Sequence, residues 1–194
     1  MSPRNLDAYV ELSLAYFEAG KTDEAMSWLK RTLAMDNELP AAHRLLGMVL
    51  YHTGDCRAAI LHLKKASYYY PDDPMTLLLL GMAHFFNKEE EEYRRIIDVV
   101  DQRHYHKQFV LKFVGTELYR HNYFRNAANI LGESDELFPA DSETLALLGW
   151  AHFQLGDPQR AAEIWGRTLS LDPGNGSAEK GLAVLKERSA GAKK

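Results

Sequence analysis

Four glycines, Gly47, Gly81, Gly115 and Gly149, stand 34 residues apart, and each follows an apolar residue, Leu46, Leu80, Val114 or Leu148. The same step relates Ala25, Ala59, Ala127 and Ala161, the prolines Pro71, Pro139 and Pro173, and an aromatic column of Phe17, Tyr51, Phe85, Tyr119 and Phe153. A common period and phase in independent columns marks a repeated supersecondary unit that cannot bury its apolar face alone and must stack on its neighbours. Residues such as Leu77, Leu80, Gly81 and His84, spaced i, i+3, i+4 and i+7, form one face of a helix. The small residues of the glycine and alanine columns let two such helices cross closely.

These columns resemble the tetratricopeptide repeat (TPR) family, whose unit is a helix-turn-helix with the pattern W-x-x-L-G-x-x-Y, then A, F and P. The unit at 142–175 carries the pattern best, in Leu145, Leu148, Gly149, His152, Gly156, Ala161, Trp165 and Pro173. The resemblance implies an all-α fold, a right-handed α-solenoid of five helix-turn-helix TPR units plus a C-terminal capping helix. The expected units are 6–39, 40–73, 74–107, 108–141 and 142–175, after an N-terminal extension at 1–5. Asp73-Pro74 supplies a capping carboxylate and a proline at the first helical position of the third unit. A capping helix is expected at 176–188, with Ser177 as N-cap and Leu182 and Leu185 facing inward. The tail at 189–194 has too little apolar content to order itself.

The third unit departs from the pattern in its second half. Lys88 replaces the turn glycine, Tyr93 the small residue of the crossing, and Tyr105 the closing proline. A tyrosine in the tightest crossing is expected to push the second helix outward or slide its register, while the acidic run Glu89 to Glu92 still favours a helix start there. In the fourth unit Gly132 and Ser134 weaken the second helix.

Composition narrows the function classes. With 23 basic against 27 acidic residues the net charge is -4, which disfavours holding nucleic acid by bulk charge. A single cysteine, Cys56, allows no internal disulfide and suits a reducing compartment. The longest apolar stretch, Met75 to Phe86, falls short of a membrane span, and the first residues carry no secretory signal, so the expected location is cytoplasmic without direct membrane insertion. No nucleotide or catalytic motif is present: Gly174-Asn175-Gly176 follows a helix, not a strand. His104, His106 and His121 lack cysteine or carboxylate partners at zinc spacing, so no metal, cofactor or enzymatic activity is expected. Lys64-Lys65 followed by Tyr68-Tyr69-Tyr70 imitates a nucleic-acid patch, but is read as the polar end of a helix with at least one tyrosine packed beneath.

By resemblance, fixed positions on each first helix line an inner groove that binds peptides or helices of partner proteins. Counted out, the candidate groove residues are Leu14 and Phe17, then Arg44, Leu45, Met48 and Tyr51, then Met75, Leu78, Leu79, Met82, Phe85 and Phe86. The fourth and fifth units add Phe109, Lys112, Phe113, Tyr119, Arg120 and Trp150. The slots lack the Lys, Asn and Arg set of the TPR subclass that clamps C-terminal carboxylates. An apolar surface of this kind marks an interaction site, and methionine suits partners of variable shape. The expected function is a non-enzymatic adaptor or chaperone-like scaffold taking an apolar helix or peptide, with Arg44, Lys112 and Arg120 selecting acidic flanks. The alternative is a self-associating assembly scaffold, a homo-oligomer whose copies fill each other's apolar face.

Overall fold

A computed structural model describes residues 5–103 and 105–191. Among these residues the chain is all-α, and it divides into two compact units, Met1–His104 and Tyr105–Lys194. The first holds α1 (Leu6–Glu18), α2 (Thr22–Met35), α3 (Pro40–His52), α4 (Cys56–Tyr69), α5 (Pro74–Phe86) and α6 (Glu90–Gln102). The second holds α7 (Lys107–Arg120), α8 (Phe124–Leu137), α9 (Ser142–Gln154), α10 (Pro158–Leu171) and α11 (Gly176–Gly191). Each odd helix up to α9 packs against the helix that follows it, giving five antiparallel pairs, and α11 closes against α9 and α10. This is the expected solenoid-type arrangement of helix-turn-helix units with an end helix. Of the expected N-terminal extension at 1–5 and tail at 189–194, residues 1–4 and 192–194 lie outside the described residues, as does His104.

Local chemistry sets the helix ends. Carboxylates of Asp55, Asp73, Asp141 and Asp157 accept the N–H of Ala58, Thr76, Thr144 and Arg160 at 3.0 to 3.1 Å, which satisfies orphan donors at the starts of α4, α5, α9 and α10. Pro40, Pro74 and Pro158 open α3, α5 and α10, where a missing N–H costs nothing. The last helix differs from expectation. Asn175, not Ser177, is its cap, taking the Ala178 N–H at 3.1 Å, because the helix already begins at Gly176. It also runs past residue 188 to Gly191.

The glycine column works by close approach. A Cβ placed on Gly47 would stand 2.7 Å from Leu63 Cγ, and the same inner position on Gly115 would meet Leu131. Both facing leucines lie 16 residues beyond their glycine. At Gly81 the facing residue is Ile96, one position early, and its Cγ2 would lie 3.3 Å from that Cβ, with Tyr93 Cδ2 at 3.8 Å. So α6 forms, but Tyr93 has slid its register by one residue and loosened the crossing. Only Val100 of α6 is buried. The turn before it also bears strain, since Lys88 adopts the left-handed φ of 63° that Gly20, Gly54 and Gly156 adopt freely.

The core of the first unit runs through Leu29, Ala42, Leu45, Leu46 and Val49. That of the second gathers on Trp165, which is fully buried and donates its indole N–H to the Ala146 carbonyl at 3.0 Å.

Candidate functional site

On the first unit, α1, α3 and α5 lie side by side and enclose a cavity of about 240 Å³. Val10 and Leu14 come from α1, Ala41, Arg44, Leu45 and Met48 from α3, and Met75 and Leu79 from α5. Leu14 is 38% exposed at the rim, Met48 and Met75 are half-buried, and Leu45 and Leu79 form a buried floor. The volume lies below the roughly 300 to 1,000 Å³ of drug-sized ligand sites, and suits one or two side chains of a docked segment. Arg44 is the cation at the mouth. Its guanidinium stands 3.8 Å from Asp73, a long contact that leaves it half exposed.

Six of the expected groove residues, Leu14, Arg44, Leu45, Met48, Met75 and Leu79, are thus brought together. Others are not available as contacts. Tyr51, Leu78 and Met82 are buried in the fold, a correction to their reading as groove surface. The reason is that α5 is packed by α3, α4 and α6 at once, so it buries every residue from Thr76 to His84 instead of a single stripe, while α3, which carries Tyr51, is packed by α1, α2, α4 and α5. Phe17 packs on the core and stacks on His52 at 5.7 Å, while Phe85 and Phe86 are half-buried against Tyr93 and Tyr51.

On the second unit Phe109 and Phe113 lie 6.4 Å apart between ring centroids, and Phe109 is 39% exposed. The cations expected to select acidic flanks are engaged within the fold. Lys112 donates to Glu143 at 2.6 Å and Asp141 at 3.4 Å. Burial opposes its charge, but the hydrogen bond to Glu143 and the two carboxylate charges outweigh it and lift the ammonium above the ordinary lysine value. Arg120 donates to Glu117 at 2.7 Å, a carboxylate that is 2% exposed. Tyr119 packs on Phe124 and hydrogen-bonds Gln154. Trp150 packs on Trp165 and donates to Ser177 at 3.0 Å, so it helps hold α11.

Two features were not anticipated. Tyr68, Tyr69 and Tyr70 are all exposed, so none of the three is packed beneath α4 as expected. His43 and His62 share a ring hydrogen bond, Nδ1 to Nδ1 at 2.8 Å, with His43 Nε2 2.9 Å from the Asn37 carbonyl oxygen. Burial, then the charges of His43 and Lys65, lowers the His62 pKa to about 4. As for chemistry, Cys56 is buried at the start of α4, where desolvation and then Asp55 push its thiol up, away from thiolate character. Among the described residues no three His, Cys, Asp or Glu side chains converge as a metal site. No described helix is long and apolar enough to cross a membrane.

Comparison with known proteins agrees with this geometry. Tetratricopeptide repeat family models match residues 142–175 and 5–35. No curated protein matches the sequence. Among solved structures, a thermophilic TPR protein of Thermus thermophilus superposes with a TM-score of 0.66 at 14% identity, covering 93% of this chain and 98% of that one. YrrB, described as a TPR protein with an unusual peptide-binding site, gives a TM-score of 0.53 at 13% identity over 92% of this chain and 90% of that one. The human IFIT1 dimer with m7Gppp-AAAA gives 0.63 at 14% identity, over 98% of this chain and 48% of that one. Fold and matches together define a helical-repeat scaffold of the protein–protein interaction class. The matched stretches 5–35 and 142–175 are tetratricopeptide repeats, and the chain shares its fold with TPR proteins.

Proposed function

We propose that this chain is a non-enzymatic adaptor, acting in the cytoplasm without a cofactor, that captures an apolar helix or peptide of a partner protein on the face shared by α1, α3 and α5. One observation carries the reading: the cavity of about 240 Å³ is lined almost wholly by aliphatic and thioether side chains, with a single, loosely paired cation at its mouth. A helix laid across three first helices offers apolar anchors at i, i+3, i+4 and i+7, which is how amphipathic helices enter such faces. Met48 and Met75 let the lining adapt to anchors of differing shape. Arg44 alone serves to attract an acidic flank, since Lys112 and Arg120 are already paired.

The experiment is a comparison of Leu14→Glu and Met48→Glu with the unaltered chain in co-purification from its native cells. Loss of a specific partner from both variants, with helicity unchanged by circular dichroism, is the expected result, because an anchor position costs about tenfold or more in affinity when altered. Retention of the partner by both variants would sink the proposal. Light scattering across concentration tests the self-association alternative, which a constant monomer mass would remove.

A further inference from the structure

Members of the aromatic column meet the residue 35 places further on, which stands near the end of the next first helix. Phe17 stacks on His52, Tyr51 packs on Phe86, and Tyr119 hydrogen-bonds Gln154. The last of the series is Phe153, whose ring lies under Arg188, with the guanidinium carbon 4.5 Å from the ring centroid. Trp150 and Trp165 hold that ring from behind, at 5.7 and 5.9 Å between centroids. Beside the stack opens a cleft of about 410 Å³, lined by Phe153, Gly156, Pro158, Leu185 and Arg188, and its size falls within the range of ligand-binding clefts. Among the described residues Arg188 is its only charged wall and forms no salt bridge. The carboxylates closest in sequence do not line the cleft: Asp157 caps α10 by accepting the Arg160 N–H at 3.0 Å, and Glu187 stands one place before Arg188 on α11. Stacking covers one face of the guanidinium and leaves its edge of N–H donors free for a planar acceptor.

The repeat itself shows what a cation in this slot takes. Arg120 stands 68 residues, two repeat steps, before Arg188, and it donates to the side chain of Glu117, three residues back, at 2.7 Å. Two steps on from Glu117 stands Leu185. So α11 keeps the arginine of α7 and replaces its carboxylate with a leucine that lines the cleft. We propose that this cleft is a second docking site, taking a partner helix that carries a Glu or Asp side chain one turn from a bulky aliphatic residue. Leu185 and Arg188 are themselves one turn apart, so a helix laid along α11 meets both with residues at i and i+4. The partner carboxylate fills the place that Glu117 fills beside Arg120 and accepts paired N–H bonds from the guanidinium. Its aliphatic side chain lies against Leu185 and Pro158. A phosphate group fits less well, because one guanidinium balances a carboxylate but leaves much of the phosphate charge of about -2 uncompensated. A long alkyl acid also fits less well: Gly156, Pro158 and Arg188 are exposed, so the cleft is open along its rim and would leave most of the chain in water.

The test is a tryptophan-fluorescence titration of the full chain, in which Trp150 and Trp165, packed on Phe153, report the site. The probe is an alanine-based helical peptide, blocked at both ends and free of tryptophan, with one Leu and a Glu four residues on. Its counterparts carry Gln or Lys for that Glu, or Ala for that Leu. The Glu peptide should bind, more weakly as salt rises, and each counterpart should bind about tenfold more weakly or worse. Arg188→Gln should weaken the Glu peptide about tenfold or more, and since Arg188 is exposed, circular dichroism should show that variant folded. Leu185→Glu restores on α11 the pairing found on α7, so it should abolish binding by supplying the carboxylate from within; if it loses helicity, Arg188→Gln decides alone. Met48→Glu should leave this binding unchanged, because the cleft shares no lining residue with the cavity of α1, α3 and α5, and this separates failure here from failure of that reading. No binding of the Glu peptide, equal binding of the Gln or Lys peptide, or insensitivity to Arg188→Gln would overturn the proposal. So would displacement of the peptide by inorganic phosphate or laurate at concentrations where acetate has no effect, which would assign the cleft to a phosphate or a lipid.

Discussion

Gly47 and Leu63 approach so closely that a methyl group on the glycine would stand 2.7 Å from the leucine Cγ and 3.2 Å from its backbone nitrogen. Two helices are held at that distance by an absent side chain. Gly47→Ala should therefore destabilise the first unit by about 1 to 3 kcal/mol through overpacking. Gly81→Ala, where Ile96 stands 3.3 Å away across the loosened α5 and α6 crossing, should be near neutral, its helix-propensity gain of about 1 kcal/mol offsetting a small shift. Urea denaturation of both variants checks the difference. Equal losses would mean that α6 is packed as tightly as α4.

The pair of Arg120 and Glu117 is asymmetric, with an exposed guanidinium and a buried carboxylate whose second oxygen has no hydrogen-bond partner among the described residues. At the same step of 34, Val49, Ala83 and Ala151 are buried and apolar. Arg120→Ala should cost about 1 to 3 kcal/mol, less than for a fully buried pair, because it leaves the carboxylate buried without its cation. Glu117→Ala should cost little, and the double variant should recover most of the loss. A chemical-denaturation double-mutant cycle reads this, and strictly additive effects would contradict it.

His62 gives a pH signature. Its pKa falls from 6.5 to about 4 on folding, so between those values the unfolded chain binds a proton that the folded chain refuses. Its contribution is complete above pH 6.5 and is lost as the pH drops toward 4. His121 and His152, also lowered by burial, add to the same decline, whereas Glu89, held low by its hydrogen bond to His84, acts only below its ordinary 4.5. Denaturation midpoints between pH 7 and pH 4.5 should fall less steeply for His62→Gln than for the unaltered chain. An identical slope would contradict the assignment.

Much of the fold was legible because a period of 34 survives in glycine, alanine, proline and aromatic columns at once. The shifted register of α6 was foreshadowed by Tyr93 standing in the small-residue slot. The site was half legible. Leu14, Met48 and Met75 stand out as apolar residues in slots that face outward from each first helix. Tyr51, Leu78 and Met82 occupy equivalent slots, yet burial depends on how many helices pack on α3 and α5, which periodicity along one helix does not encode. The pairing of Lys112 with Glu143 and of His43 with His62 joins residues 31 and 19 positions apart, and no spacing rule within one helix reaches them. At least one of Tyr68, Tyr69 and Tyr70 is expected to pack where α4 runs into the Pro71 turn, but the helix ends with its stripe of 61, 64, 65 and 68 turned to solvent and all three rings exposed.

The central claim is that the face of α1, α3 and α5 is where a partner binds. A photo-crosslinking amino acid placed at Met48, with the same group at the exposed α10 position Leu171 as comparison, tests it most directly in the native cell. The account predicts a discrete adduct from position 48 that disappears when Leu14→Glu is added and is not formed from position 171. No adduct from position 48, or the same adduct from both positions regardless of Leu14→Glu, would contradict it.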